Sequence, residues 1–300
     1  MTMLTASQKR KNLRAALSGS HAVCAPGIYD GYGLRLVEQA GFSAAYMTGN
    51  GVSAALLGRP DVGLVDLTMI SDHARRVARC VDIPLICDAD TGYGNVVNVQ
   101  RTVAEFEAAG VAAIHIEDQI SPKRCAQMEG ARTVLDFDEA VSKIAAGVAA
   151  RSDPDFMLIA RTDSAAALGL DEAIRRAKAF VQVGADVVFI ELKANPDILA
   201  QVRRARDAVG APLQVNLDTG GALRQLPASA LKGAGIDIAI YPALARGVFG
   251  HAMSQALGHL KAEGCMNGYT DQMFTSAQYN AALGLDEIEC WEKRFDPRQS

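Results

Sequence analysis

Asp88 and Asp90 close the apolar run Ile83-Pro84-Leu85-Ile86-Cys87, and the turn Thr91-Gly92-Tyr93-Gly94-Asn95 follows. The run is too short for a helix and lacks polar alternation, so it reads as a strand covered on both faces. Alternation along a strand puts both carboxylates on one face at its end. Two acids held side by side repel unless a cation lies between them. Carboxylate oxygens with room for water are what Mg2+ prefers. Capping the next helix, the other use for such residues, needs only one aspartate.

Polar residues recur at the ends of the other apolar runs. Thr48 and Asn50 end one, His115, Glu117 and Asp118 another, and Arg161, Thr162 and Asp163 a third. Glu191, Asn216 and Tyr241 end three more. Acids, an arginine and an asparagine converging in this way describe a pocket for an anionic ligand bridged by a cation. Arg161 could pair with a ligand carboxylate or phosphate, or it could neutralise Glu191 in a structural ion pair. Alternation puts His115 on the face of Glu117. The loop after Asp118 holds Cys125 beside Lys123 and Arg124. Neighbouring cations favour a thiolate, so Cys125 can act as an acid/base group or nucleophile. The plain alternative is a chance loop cysteine. The other five cysteines read as packing, and His73, His251 and His259 as helix residues.

These residues need elements to hold them. Eight apolar runs read as strands: His21–Ile28, Ala44–Thr48, Ile83–Asp90, Ala112–Asp118, Phe156–Asp163, Ala185–Leu192, Pro212–Leu217 and Asp237–Pro242. Helical patterns alternate with them, including Asp66–Cys80, Val96–Ala109, Asp138–Ala149, Leu170–Val183, Pro196–Val209 and Ala245–Glu263. Parallel strands need such crossovers, and eight units in about 250 residues are what a (β/α)8 barrel requires. An open doubly wound sheet would carry a glycine-rich phosphate turn after its first strand, and Cys24-Ala25-Pro26-Gly27 is not one. The expectation is a barrel over 1–265 and an extension over 266–300. The extension's helical pattern, Phe274–Phe295, has no core of its own, so it must pack outside the barrel or on another subunit.

Composition excludes several classes. With 49% hydrophobic and 21% charged residues the chain is an ordinary globular one. Its net charge is -4 with scattered basic residues, so no nucleic-acid partner is expected. No run of about 18 apolar residues suggests a membrane span. Met1 to Arg14 lacks the apolar segment of a secretory signal, and the six cysteines show no paired metal spacing. A reduced, cytoplasmic setting is the expectation.

At these positions the chain resembles the isocitrate lyase / phosphoenolpyruvate mutase superfamily, in its methylisocitrate and dimethylmalate lyase branch. The likeness rests on Leu56-Leu57-Gly58-Arg59-Pro60-Asp61-Val62-Gly63, Asp88-Ala89-Asp90-Thr91-Gly92-Tyr93-Gly94-Asn95 and His115-Ile116-Glu117-Asp118-Gln119. It continues through Pro122-Lys123-Arg124-Cys125, Ile159-Ala160-Arg161-Thr162-Asp163 and Tyr241-Pro242. The resemblance implies Mg2+, with Mn2+ as a substitute, held by Asp61, Asp88, Asp90 and Glu117, Asp90 directly and the others largely through water. It implies that Tyr46, Thr48, Gly49 and Asn50 bind the substrate, the last three at its 2-oxo-acid end, and that Arg161, Glu191, Asn216 and Thr219 line the pocket. Lys123, Arg124 and Cys125 would close over the substrate, Cys125 protonating the carbanion, with Glu117 also in the catalytic set. A homotetramer exchanging its terminal helices is implied too.

One departure stands out. The lyase branches continue Lys-Arg-Cys-Gly-His, whereas this chain has Ala126 and Gln127. Alanine restricts the loop, and glutamine donates a hydrogen bond but carries no charge. The implied activity is Mg2+-dependent retro-aldol cleavage of a 2-hydroxy dicarboxylate or tricarboxylate. The alternatives are oxaloacetate decarboxylation on the same fold, or a barrel that only binds a dicarboxylate.

Overall fold

The computed structural model describes residues 3–125, 128 and 132–296. The elements run α1 Ala6–Leu17, β1 Val23–Ile28, α2 Gly31–Gln39, β2 Ala45–Met47, α3 Gly49–Leu57, α4 Leu67–Ala78 and β3 Leu85–Asp88. Next come α5 Val96–Ala109, β4 Ala113–Glu117, α6 Phe137–Ala149, β5 Met157–Thr162, α7 Ala165–Leu168, α8 Leu170–Gln182 and β6 Val187–Ile190. Then follow α9 Ile198–Val209, β7 Leu213–Asn216, α10 Ala228–Leu231, β8 Ile238–Tyr241, α11 Leu244–Glu263, α12 Ser276–Leu283 and α13 Leu285–Phe295.

The eight strands pair in sequence order, all parallel, and β8 closes on β1 through Val23–Ile238 to Pro26–Tyr241. This is the closed (β/α)8 barrel expected from the alternating pattern. Alternate strand residues divide between two environments. Tyr46, Ile86, Ala113, Ile159, Phe189 and Ile240 fill the lumen. Met47, Cys87, Ile114, Ile116, Leu158 and Ala160 pack outward against helices. Both faces are therefore apolar along most of each strand, which is why the strands read as unbroken runs. The same alternation sends Asp88, His115, Glu117, Arg161, Glu191 and Asn216 inward, at or near the C-terminal rim where barrel chemistry sits.

At the opposite end α1 seals the lumen. Leu13 joins the lumen cluster, and Arg10 donates to the Val111 carbonyl at 3.0 Å while pairing with Asp153.

Two features differ from the sequence reading. Helix α3 begins directly after β2, with Thr48 as its N-cap. Its first turn, Gly49-Asn50-Gly51, has poor helix propensity and gives no periodic signal. The extension is two helices, broken where Gly284 takes φ +77°. Helix α12 packs on α2 through the Tyr32–Tyr279 ring pair and the Arg35 bond to the Leu283 carbonyl. Helix α13 leaves Ile288, Trp291 and Phe295 exposed, and α11 does the same with Phe249, Met253 and Leu257.

Candidate active site

The acids at the rim gather around one ammonium. Lys123 Nζ lies 2.7 Å from Asp61 Oδ2 and 2.6 Å from Asp90 Oδ1, with all three residues buried. Burial lowers a lysine's pKa, but Asp90, Asp88 and Asp61 outweigh it and hold Lys123 well above its ordinary value. Asp88 lies alongside, taking hydrogen bonds from the Gly49 N–H at 3.3 Å and the Tyr46 hydroxyl at 3.4 Å. Burial pushes Asp90 up to about 7, Lys123 opposing and Asp88 and Asp61 adding to the rise.

The expected alignment of Asp88 and Asp90 by strand pleat needs correction. The strand ends at Asp88, and Asp90 takes φ +47° in the turn beyond. Its N–H donates to Asp88 Oδ1 at 3.0 Å. A left-handed turn, not alternation, brings the two carboxylates together; an aspartate tolerates that conformation better than most residues.

Gly49 is required here by close approach. A Cβ at this position would stand 2.8 Å from Asp88 Oδ2 and 3.3 Å from Asp90 Oδ1. Gly49→Ala is expected to keep the fold by circular dichroism and to lower kcat about 100-fold, because a displacement near 1 Å in a catalytic array costs that much. A variant with wild-type kcat would show that the Asp88 position is not critical.

Beneath this group Tyr46 Oη lies 2.8 Å from His115 Nε2. His115 is wholly buried, stacked on Tyr46 and edge-on to Phe189. Burial brings its pKa down to about 4, so the imidazole is neutral near pH 7. Its Nδ1 has no hydrogen bond and sits 3.7 Å from Asp88 Oδ1.

Arg161 lies over Phe189 and meets three acids: Asp163 at 2.9 Å, Glu117 at 3.1 Å and Glu191 at 3.7 Å. The sequence left open whether it would serve a ligand or Glu191; its shortest pair is instead with Asp163, which also pairs with Arg132. Burial raises the Glu117 and Glu191 carboxyls, with Arg161 opposing in both. Burial also works to raise Asp163, but Arg161 and Arg132 prevail and hold it low.

The loop after β4 crosses above. Gln119 clamps it, accepting from the Arg124 N–H at 3.0 Å and donating to the Arg124 carbonyl at 3.1 Å and to Glu117 Oε1 at 2.9 Å. Cys125 is half-buried, and Asn50 Nδ2 donates to its Sγ at 3.2 Å. Ala126 and Gln127 lie outside the described residues.

The cleft lined by these groups, with the solvent at its open mouth included, spans about 510 Å3. Tyr46, Thr48, Asn50, Asp61 and Asp88 line it from the β2–β3 side, and Lys123, Arg124 and Cys125 from the loop. Glu117, Arg161, Glu191 and Asn216 complete the expected residues on its wall. Gly49 and Asp90 stand behind it, in contact with Asp88 and Lys123. Thr219 is half-buried in the turn after β7 and is not part of the wall. Phe189, Ile240, Pro242 and Arg246 also line the cavity. Lumen alternation could have found Phe189 and Ile240; Arg246, near the start of α11, gave no signal.

The donor set suits a hard cation. Its groups are carboxylates, with no thiolate or imidazole required. Lys123 shows that a positive charge fits between Asp61 and Asp90. Among the described residues no three acids, histidines or cysteines converge into a cage. Mg2+ dehydrates reluctantly and accepts one or two carboxylates with water, so a spread set fits it better than a metal needing a full protein shell.

The family model for phosphoenolpyruvate phosphomutase matches residues 13–261. A 2,3-dimethylmalate lyase from Eubacterium barkeri is 40% identical over 283 residues, covering 94% of this chain and 96% of that protein. The structure of an oxaloacetate acetylhydrolase with the inhibitor 3,3-difluorooxalacetate superposes with a TM-score of 0.88 at 32% identity, covering 97% of each chain. A phosphonopyruvate hydrolase complexed with oxalate and Mg2+ superposes with a TM-score of 0.84 at 31% identity, covering 97% of this chain and 99% of that one.

Proposed function

The chain belongs to the phosphoenolpyruvate phosphomutase family and is a carbon–carbon lyase, and we propose that it cleaves a 2-hydroxy dicarboxylate of the 2-alkylmalate or 2-methylisocitrate type with Mg2+. The observation that carries this reading is Cys125 on the wall of the same cavity as Asp61, Asp88 and Glu117. A carbanion formed by C–C cleavage needs an acid, and a thiol on the cavity wall can supply the proton.

Asp61, Asp88, Asp90 and Glu117 would hold the ion. Bound there, Mg2+ would act as a Lewis acid towards the substrate's 2-hydroxyl and its neighbouring carboxylate. Thr48 and Asn50 line the cavity and would bind the substrate's 2-oxo-acid end, and Tyr46, its hydroxyl 2.8 Å from His115 Nε2, lines it too. The 2-hydroxyl would give its proton to a carboxylate on the cavity wall, the role left to Glu117, and as the C2–O bond becomes a carbonyl the C2–C3 electron pair passes to C3 and spreads into the distal carboxylate. The Cys125 S–H bond then breaks and its proton goes to C3. The products are a 2-oxo acid and a carboxylic acid. Gln119 fixes the loop at Arg124, which lines the cavity.

Proton NMR of products tests this. The protein is incubated with Mg2+ and 2-methylisocitrate, 2,3-dimethylmalate, isocitrate or oxaloacetate, with an EDTA control. One hydroxy-diacid giving a 2-oxo acid plus a second acid, stopped by EDTA, is the expected result. Turnover of oxaloacetate alone, to pyruvate and carbon dioxide, would favour the decarboxylase reading.

We also read the chain as a homotetramer in a reducing, cytoplasmic setting. The six cysteines are all unpaired. Phe249, Met253 and Leu257 recur at helical spacing on α11, as do Ile288, Trp291 and Phe295 on α13, and all are exposed in the single chain. Sedimentation is expected to give about four times the 31.7 kDa chain mass, with residues 266–300 needed for it. A monomer would overturn this.

A further inference from the structure

We propose that Asn50 is a positioning residue for Cys125, its side-chain amide holding the sulfur over the cavity and stabilising the negative charge the sulfur acquires when it gives up its proton. The inference rests on Cys125 as the acid, but it concerns a different residue and is read out separately.

The two groups approach from unlike supports. Cys125 sits on a loop. Asn50 sits in the first turn of α3, between two glycines whose missing side chains let the helix press against the barrel. A Cβ at Gly49 would meet Asp88, and one at Gly51 would stand 2.8 Å from the Tyr29 ring. A donor on so tightly packed a turn has a fixed direction, and it reaches Sγ at 3.2 Å. The bond therefore ties the loop to the rigid part of the site at the reacting atom.

The surrounding charges leave this task open. Lys123, two residues from the sulfur, turns its ammonium to Asp61 and Asp90. Arg161 is engaged by Asp163, Glu117 and Glu191. Arg124 and Arg246 line the cavity, and so do Asp61, Asp88, Glu117 and Glu191. Four acids and four cationic side chains share the cavity wall, so no net positive charge is left over for the sulfur. The Asn50 N–H is the neutral donor that is hydrogen-bonded to the sulfur. When the S–H bond breaks, the proton forms the new C3–H bond, the electron pair stays on sulfur, and solvent returns the proton after product leaves. A donor that gains strength as that charge develops lowers the barrier.

The test uses the full chain with Mg2+ and two variants, Asn50→Ala and Asn50→Asp. Iodoacetamide alkylation is followed against pH at the Cys125 peptide by mass spectrometry, which separates it from exposed Cys265 and Cys290. Losing the amide donor should shift the alkylation midpoint up by about one pH unit in Asn50→Ala, and further in the charged variant. The Ala variant's kcat should fall about 10- to 100-fold, more than KM rises from the loss of a cavity-wall side chain. An unchanged alkylation profile would overturn the proposal; with a raised KM it would make Asn50 a substrate ligand instead. The alkylation readout needs no substrate, so it stands apart from failure of the lyase reading.

Discussion

Cys125→Ser is expected to bind substrate with near wild-type affinity and to cleave it at least about 100-fold more slowly, the lower end of what a positioned general acid contributes. The substitution exchanges sulfur for oxygen and little else. Asn50 can still donate to the new atom, and Gln119 still clamps the loop through the Arg124 backbone. What changes is the strength of the proton donor, since a serine hydroxyl is a much weaker acid than a thiol and transfers its proton more slowly. Calorimetric titration with substrate gives the binding half of the prediction, and product NMR gives the cleavage half. Equal loss of binding would mean that the sulfur contributes to affinity rather than proton transfer. Unchanged turnover would remove Cys125 as the acid and move the enzyme towards the oxaloacetate reading, for which indifference to this residue is the expected mark.

The barrel could be read from the sequence because parallel strands are buried on both faces. Runs such as Phe156-Met157-Leu158-Ile159-Ala160 then need no alternation to be recognised. Alternation put His115 and Glu117 on one face, the face they share with Ala113 in β4. It gave Asp88 and Asp90 a common side for the wrong reason, because the strand stops between them. Three features were invisible for physical causes. Helix α3 starts with residues of low helix propensity, so only tertiary packing defines it. Lys123 reaches Asp61 across 62 positions of chain, a contact no local pattern encodes. Arg161 looked available for a ligand, but a buried guanidinium needs counter-charges, and Asp163 and Glu117 supply them before Glu191 does.

Asp90→Ala is expected to abolish turnover and, with it, the thermal stabilisation that Mg2+ gives the wild-type protein. The second readout decides the argument, because it needs no substrate. A ligand that binds only the folded state stabilises it by about 2.7 kcal/mol at a hundredfold excess over its Kd. That is on the order of 5 °C for a domain of this size. Lys123 spans Asp61 and Asp90. In the variant Asp61 keeps its partner, so the fold should survive, but the carboxylate nearest the ammonium is gone. EDTA should likewise remove both activity and the thermal shift from the wild type, and added Mg2+ should restore them there and not in Asp90→Ala. A variant that still gains stability with Mg2+ would place the ion on Asp88 and Glu117 without Asp90. A wild type indifferent to EDTA would mean that Lys123 alone balances these acids, and that this lumen works without a metal.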